Sequence, residues 1–313
     1  MSAVATKPRL GFLGVGWIGR ARMDAVAGEA EIAAIADPAL PNALASLDEL
    51  LAEDLDGVVI ATPSALHAEQ AVTALEAGLA VFCQKPLGRT AHEAKAVVDA
   101  ARAADRLLAV DLSYRYTRAV GAIRALELGD VYAVEAAFHN AYGPDKGWFY
   151  DANVAGGGCV IDLGTHLIDL ALWMLGWPDV VNVESRLLHR GGHDVEDYAA
   201  ARLDVETGST VSISCSWNLP AGRDCVIDAS FYGSAGAASV RNVGGSYYDL
   251  RAERYDGTAT ETLVEPPDDW GGRAIRAWTR RLAAGERFEG EVERVVDVAA
   301  VIDRIYGRAR CGS

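Results

Sequence analysis

Positive charge, cysteine and long apolar stretches are all scarce in this chain. Its formal net charge is −15 over 313 residues, and only four residues are lysine. That balance excludes partners that demand a basic surface, nucleic acid and anionic membranes above all. No uninterrupted apolar run reaches membrane-spanning length. The run after Lys7 and Arg9 is short, glycine-broken and ends in arginine, unlike a signal peptide. Cys83, Cys159, Cys215, Cys225 and Cys311 are odd in number, scattered and without a CxxC pair. This excludes a disulfide framework and a cysteine zinc site, and predicts reduced thiols in a cytoplasmic protein. Fixed-period repeats and low-complexity stretches are also missing, and the length suits one large or two ordinary domains.

Glycine, by contrast, is plentiful, so a bare GxGxxG says little. Here the motif has a context. Gly14-Val15-Gly16-Trp17-Ile18-Gly19 follows the apolar run Leu10 to Leu13 and opens a helix-like stretch, and Asp37 stands 23 positions past Gly14 at the end of the next apolar run. That order is a dinucleotide fingerprint. Gly14 permits the tight turn, Gly16 lets the backbone approach a pyrophosphate, and Gly19 allows the helix to pack on the strand. Trp17 and Ile18 begin the helix whose free amides meet the phosphates. Asp37 would accept hydrogen bonds from the adenosine ribose and repel a 2′-phosphate. Pro38 and Ala39 follow it instead of an arginine or serine, so the sequence favours NAD, with NADP a possible second.

Alternation continues through the first hundred or so residues. Strands are expected at 9–13, 31–36, 57–61, 79–83 and 107–111, with helices near 18–27, 47–53, 65–77 and 91–103. Ser46 with Glu49 and Thr90 with Glu93 form capping boxes, and Gly78 sits where a C-terminal cap belongs. Such alternation builds a doubly wound parallel sheet with ligands at the carboxyl ends of its strands. Between Asp37 and the third strand there is room for only one short helix. From about Val131 strand patterns recur without intervening helices, at 131–140, 180–188, 198–205, 209–217, 224–232, 237–243 and 247–254, which predicts a largely antiparallel sheet. Helices are expected near 161–175, 269–284 and 291–306. The expected architecture is therefore α/β plus α+β. Residues 1–118 form an N-terminal Rossmann domain, and 119–313 form an open, mostly antiparallel sheet domain with flanking helices.

Three positions carry the chemistry. Lys85-Pro86 follows the apolar run Ala80 to Cys83, while Asp162 and His166 lie four apart after a glycine triplet. On a helix that spacing puts both side chains on one face, about one turn apart. An imidazole titrates at about pH 6.5, which suits removal of a hydroxyl proton as hydride leaves the same carbon. A lysine ammonium can stabilise the developing alkoxide. The plainer alternatives are a core histidine and a helix-capping aspartate. His139, Tyr142, Trp148, Phe149 and Tyr150 offer aromatic and hydrogen-bonding groups for a polyhydroxylated ring, or equally for packing. Arg115 can contact cofactor or substrate, or pair with a carboxylate. Trp217 and Asn218 end a strand that lines the same cleft or an oligomer face. Lys146 and Arg223 are candidates for a substrate phosphate or simple surface charges. His189 and His193 flank Gly191-Gly192, which argues against a helix and a metal site; no metal is expected.

With GVGWIG, ATPSALHAEQA at 61–71, CQKPLG at 83–88, SYRY at 113–116 and GGGCVIDLGTHLIDLALWMLG at 156–176, the chain resembles the glucose-fructose oxidoreductase, inositol dehydrogenase and rhizopine-catabolism (Gfo/Idh/MocA-type) oxidoreductases over nearly its whole length. The resemblance implies a Rossmann domain joined to an open antiparallel sheet domain. It makes Lys85 the catalytic-site lysine, Asp162 the substrate-orienting carboxylate and His166 the general acid/base. Thr62, Pro63 and His67 become the loop that lines the cofactor. Gln84 stands where the family usually has glutamate, near the nicotinamide ribose, and counts with Lys85 among the cofactor contacts.

The activity implied is NAD-dependent hydride transfer at a ring carbinol or ketone of a sugar, sugar derivative or cyclitol. Redox-neutral glycoside processing or epimerisation on the same fold is the alternative. A nucleotide-sensing regulator comes third, since that class tends to lose the acid/base residues kept here. The expected partner beyond a small polyhydroxylated substrate is a second copy, as a homodimer or homotetramer through the C-terminal sheet.

Overall fold

The computed structural model describes residues 7–268 and 270–308. They divide into two compact units. The chain up to Ser113, rejoined by Gly271–Val296, forms the first; Tyr114–Trp270 and the residues from Asp297 onward form the second.

The first unit is a parallel sheet of β1 (Arg9–Leu13), β2 (Glu31–Ala36), β3 (Gly57–Ile60), β4 (Ala80–Cys83) and β5 (Leu108–Val110), in the order β2-β1-β3-β4-β5. Every residue of β3 and β4 is buried, as expected of parallel strands covered on both faces. The crossovers are α1 (Trp17–Val26), α2 (Leu47–Leu51), α3 (Ser64–Glu76) and α4 (Ala91–Ala104). Both capping residues act as the sequence requires. Ser46 Oγ accepts the Glu49 N–H at 3.3 Å, and Thr90 Oγ1 accepts that of Glu93 at 3.2 Å. The short α2 is preceded by an irregular stretch tied back to β2, where Leu44 N–H donates to Ile35 O and Asp37 N–H to Leu44 O, both at 2.9 Å. From β1 the chain moves first to β2 and then back past β1 to β3. That reversal opens a crevice at the carboxyl ends of the strands.

The second unit is an eight-stranded sheet: β6 (Val131–Asn140), β7 (Val180–Leu188), β8 (Tyr198–Val205), β9 (Thr210–Ser216), β10 (Cys225–Gly233), β11 (Gly236–Asn242), β12 (Leu250–Asp256) and β13 (Ala259–Val264). Its order is β13-β12-β11-β10-β6-β9-β8-β7, antiparallel throughout except for the parallel pair β6 and β9. Side chains alternate across the sheet. Val134, Ala136 and Phe138 of β6 enter the core, while Glu135, Ala137 and His139 lie on the other face, exposed or half-buried. The helices here are α5 (Arg118–Arg124), α6 (Ala152–Ala155) and α7 (Thr165–Met174), the last entered through a π-turn at Val160–Gly164. The segment Ala152–Met174 is apolar and long enough to cross a membrane by composition, yet most of it is buried in this core.

Two helices close the chain, α8 (Arg273–Ala283) and α9 (Arg294–Ile305). From sequence alone both are expected in a second domain beginning at 119. In the structure α8 belongs to the first unit. Trp278 and Ile275 are buried there, Trp278 meets Phe82 with ring centroids 5.7 Å apart, and Arg276 Nε donates to Ala25 O at 2.9 Å. An apolar helix stripe shows that a face is buried but not which sheet buries it. The boundary also lies a few residues earlier than 118, because Ser113 bonds into the first unit and the Tyr114 ring enters the second core. Position 269, the expected start of α8, and Cys311 lie outside the described residues; Cys83, Cys159, Cys215 and Cys225 are free and buried. Neither α5 nor β13 is foreseen from the sequence. One is too short to show a helical period, and the first four residues of the other are exposed, leaving no alternation to read.

Candidate active site

The candidate residues fall into two groups, one in each unit. In the first, the glycine loop leaves β1 with Gly14 at φ +83°, and a Cβ there would lie 2.8 Å from Ala61 O. A Cβ on Gly19 would lie 2.2 Å from Gly14 O, so only glycine lets α1 sit this close to the loop. A Cβ on Gly16 would meet nothing within 4 Å, and the N-terminus of α1 carries no side-chain cap. Open space beside uncapped amides is what a pyrophosphate needs. Trp17 is exposed at this mouth and Ile18 half-buried. Asp37 Oδ2 accepts the Val15 N–H and its Oδ1 the Ala39 N–H, both at 2.9 Å. The carboxylate is thus braced against the loop, and each oxygen keeps a lone pair for a ribose hydroxyl. These residues fit a dinucleotide.

The loops after β3 and β4 are tied together by His67. Its Nδ1 lies 2.7 Å from Pro86 O and its Nε2 2.7 Å from Thr62 O. The ring is fully buried. Burial holds its pKa below the ordinary value, against the two carbonyl contacts, and the Lys85 charge adds to the lowering. His67 is therefore a buried strut between the Thr62 and Lys85-Pro86 loops, the same loops that the sequence assigns to the cofactor. Thr62 Oγ1 donates to Gln70 Oε1 at 2.6 Å, and Pro63 precedes the first residue of α3. Lys85 is half-buried directly after Gln84, at the carboxyl end of β4.

In the second unit Asp162 sits within the π-turn and His166 in the first turn of α7. Such turns within helices are often found at functional sites, where they re-aim side chains. Trp217 Nε1 donates to Asp162 Oδ2 at 3.1 Å. The His166 ring meets Tyr114 edge-on at 5.0 Å and leans toward Phe138 at 6.5 Å. Both Asp162 and His166 remain half-buried. Burial first, and several neighbouring groups including Asp162, hold the Tyr114 phenol well above its usual pKa, so that wall stays neutral.

The glycine triplet has a specific cause that the sequence does not reveal. A buried carboxylate, Glu196, accepts N–H bonds from Gly158 (3.0 Å) and Val160 (2.9 Å), together with the Tyr306 hydroxyl at 2.8 Å. It caps the turn that carries Asp162 with negative charge where the helix dipole favours it. A Cβ on Gly158 would stand 1.9 Å from Glu196 O, and one on Gly157 would stand 2.1 Å from the Tyr306 hydroxyl. Nothing local to Glu196 or Tyr306 marks them; the only sequence signal is the triplet itself, which announces a close approach.

The aromatic candidates separate by their place in the fold. Trp148 stacks on Phe149 at 3.8 Å, Phe149 and Tyr150 flank Trp217, and Trp217 holds Asp162. Tyr142 is exposed, and the Tyr247 ring lies 6.5 Å from Phe138. His139 does not join them. It lies on the opposite face of β6 from Phe138, bonded to Ser216 Oγ (2.8 Å) and Ser214 Oγ (3.2 Å) and stacked near Tyr198. One position along a strand reverses the face. Arg115 is likewise structural. It grips Asp169 with two nitrogens and lies over Trp177 at 4.9 Å, so the carboxylate reading is the one the structure supports.

The first unit is a Rossmann sheet with a dinucleotide loop, and the second carries Asp162 and His166 beside aromatic rings. Residues 8–112 match the family described as oxidoreductase, NAD-binding Rossmann fold, and residues 116–239 match the GFO/IDH/MocA C-terminal domain. The chain belongs to this Gfo/Idh/MocA oxidoreductase family. It is 33% identical over 269 residues to a putative UDP-kanosamine synthase oxidoreductase subunit of Amycolatopsis mediterranei, covering 74% of this chain and 75% of that one. It is 30% identical to the D-xylose 1-dehydrogenase (NADP(+)) 2 of Haloferax volcanii over 91% of this chain and 88% of that one. Among solved structures, the aldose-aldose oxidoreductase of Caulobacter crescentus in complex with glycerol superposes with a TM-score of 0.82 at 22% identity, over 97% of this chain and 98% of that one.

Proposed function

We propose that the protein transfers hydride between NAD and a ring carbinol of a sugar, sugar derivative or cyclitol. The observation that carries this reading is the Asp162 and His166 pair, held on adjoining turns with Asp162 braced by Trp217 and the imidazole set among Tyr114 and Phe138. Rings of this kind suit the apolar faces of a sugar, and a carboxylate suits its hydroxyls. NAD supplies the hydride acceptor, the nicotinamide C4.

The chain's own residues supply the rest. His166 removes the hydroxyl proton as the carbonyl forms, and returns it in reverse. The Lys85 ammonium stabilises negative charge on the reacting oxygen. Asp162 accepts a hydrogen bond from a substrate hydroxyl and so fixes which carbon reacts. Trp148, Phe149 and Tyr142 line the sugar. Asp37 favours NAD over NADP because its carboxylate repels a 2′-phosphate. A relative named for UDP-kanosamine synthesis and another named for D-xylose support a carbohydrate substrate.

The test is reduction of NAD and NADP by the purified protein at mildly alkaline pH. The panel holds inositols, aldoses, aminosugars, glycosides and nucleotide sugars. Reduction of NAD in preference to NADP with one stereochemical group is expected. Silence across the panel, with substrate binding shown separately, would count against net dehydrogenation.

A further inference from the structure

Four side chains in the first unit form a buried polar cluster that the proposed chemistry does not use. Arg22 of α1 and Asp111, directly after β5, are an ion pair with Nε to Oδ2 at 2.5 Å, both side chains almost wholly buried. The same Oδ2 accepts the Gln84 side-chain amide N–H, while Oδ1 accepts the Ser113 hydroxyl, which Arg22 Nη2 also reaches at 3.2 Å. Gln84 is itself buried, directly before Lys85. The cluster thus joins the helix of the glycine loop to the carboxyl ends of β4 and β5, the edge where a ligand of such a sheet binds.

We propose that Asp111 is a positioning residue for the cofactor, acting through the orientation it imposes on the Gln84 amide. The argument is one of polarity. The Asp111 carboxylate accepts from Arg22, Gln84 and Ser113 at once, and a carboxylate offers acceptors only. Gln84 must therefore turn its NH2 toward Asp111, and its carbonyl Oε1 becomes the group it offers at the carboxyl ends of β4 and β5. Oε1 is an acceptor, matched to a ribose hydroxyl of the bound dinucleotide. A glutamate in place of Gln84 would offer the same acceptor but set a second buried carboxylate against Asp111. Like charges at that distance cannot both ionise. Gln84 and Asp111 are therefore a matched pair, one amide and one acid.

Besides Arg22, Gln84 and Ser113, the Cys83 side chain feels the Asp111 charge. The Cys83 thiol is pushed up by burial and then by the Asp111 charge, so it stays neutral. The Lys85 charge acts on His67 across the Pro86 contact. The test uses NADH binding to the whole 313-residue chain, followed by nicotinamide fluorescence from about pH 6.5 to about 8.5, with unfolding measured on the same samples.

In Gln84→Glu a proton shared between the introduced carboxyl group and Asp111 lets the new side chain donate to Asp111 at the low end of this range. Affinity should be near wild type there and fall about tenfold as pH rises and the proton leaves, because a second carboxylate raises the shared pKa. The exchange Gln84→Glu with Asp111→Asn restores one acid and one amide. It should return affinity to within about threefold of wild type and abolish the pH dependence. Gln84→Met, which keeps the volume and removes the acceptor, should weaken NADH by about three- to tenfold, the range of one hydrogen bond. A folded Gln84→Met protein that binds NADH like wild type would overturn the proposal. So would a Gln84→Glu protein with no pH dependence, or a folded exchange variant as weak as Gln84→Glu. Loss of thermal stability without these changes in affinity would reduce the cluster to packing.

Discussion

His166→Ala is expected to lower turnover by about 10²–10⁴-fold, the usual contribution of a positioned acid/base, with NADH affinity unchanged. The imidazole sits among the rings of Tyr114 and Phe138, in the turn that follows Asp162. Removing it takes away the group that moves the proton and also some packing. The variant should therefore unfold slightly earlier than wild type, by about 1–2 kcal/mol for a half-buried ring of this size. Steady-state kinetics on a substrate found in the panel, an NADH titration and urea unfolding separate the three effects. Turnover equal to wild type would remove His166 from the mechanism. A fall in turnover matched by loss of folded protein would assign it to the core instead.

Gly158→Ala should do comparable damage through the fold alone. The added Cβ would stand 1.9 Å from Glu196 O and 2.9 Å from its backbone nitrogen, neither of which is a flexible side-chain end. Either the strand entry at Glu196 or the turn bearing Asp162 must shift. The cost is expected at about 3 kcal/mol or more, the upper end of overpacking in a well-filled core. Gly147→Ala is the control, since a Cβ there meets nothing within 4 Å, and it should change stability by less than about 0.5 kcal/mol. Urea unfolding of the two variants against wild type reads the difference. Equal midpoints for Gly158→Ala and wild type would contradict the close approach drawn here.

The glycine residues show how much of the site a sequence can carry. Gly14, Gly16 and Gly19 are legible because each answers a geometric need with a fixed spacing, and Asp37 because it closes the next strand. Strand and capping patterns place Lys85 at a sheet edge for the same reason: local periodicity and cap chemistry act within a few residues. What stays hidden depends on distant partners. Glu196 reads as one carboxylate among many, yet it caps a turn 36 residues earlier. Trp217 gives no sign that its indole will hold Asp162. The side of the sheet on which His139 falls depends on register, which a single step reverses. The α8 stripe is visible in sequence, but its choice of the first sheet is made by Trp278 against Phe82 and the bare Cα of Gly57.

The most direct test of the central claim is transfer of deuterium from a panel substrate labelled at its reacting carbinol carbon. Labelled substrate is incubated with the protein and NAD, and the nicotinamide is recovered from both free and protein-bound pools for mass spectrometry. Hydride chemistry predicts deuterium at nicotinamide C4 in at least one pool. Label in the free pool marks net dehydrogenation, and label in the bound pool alone marks transient oxidation on a retained cofactor. Substrate that binds yet leaves both nicotinamide pools unlabelled would contradict the account.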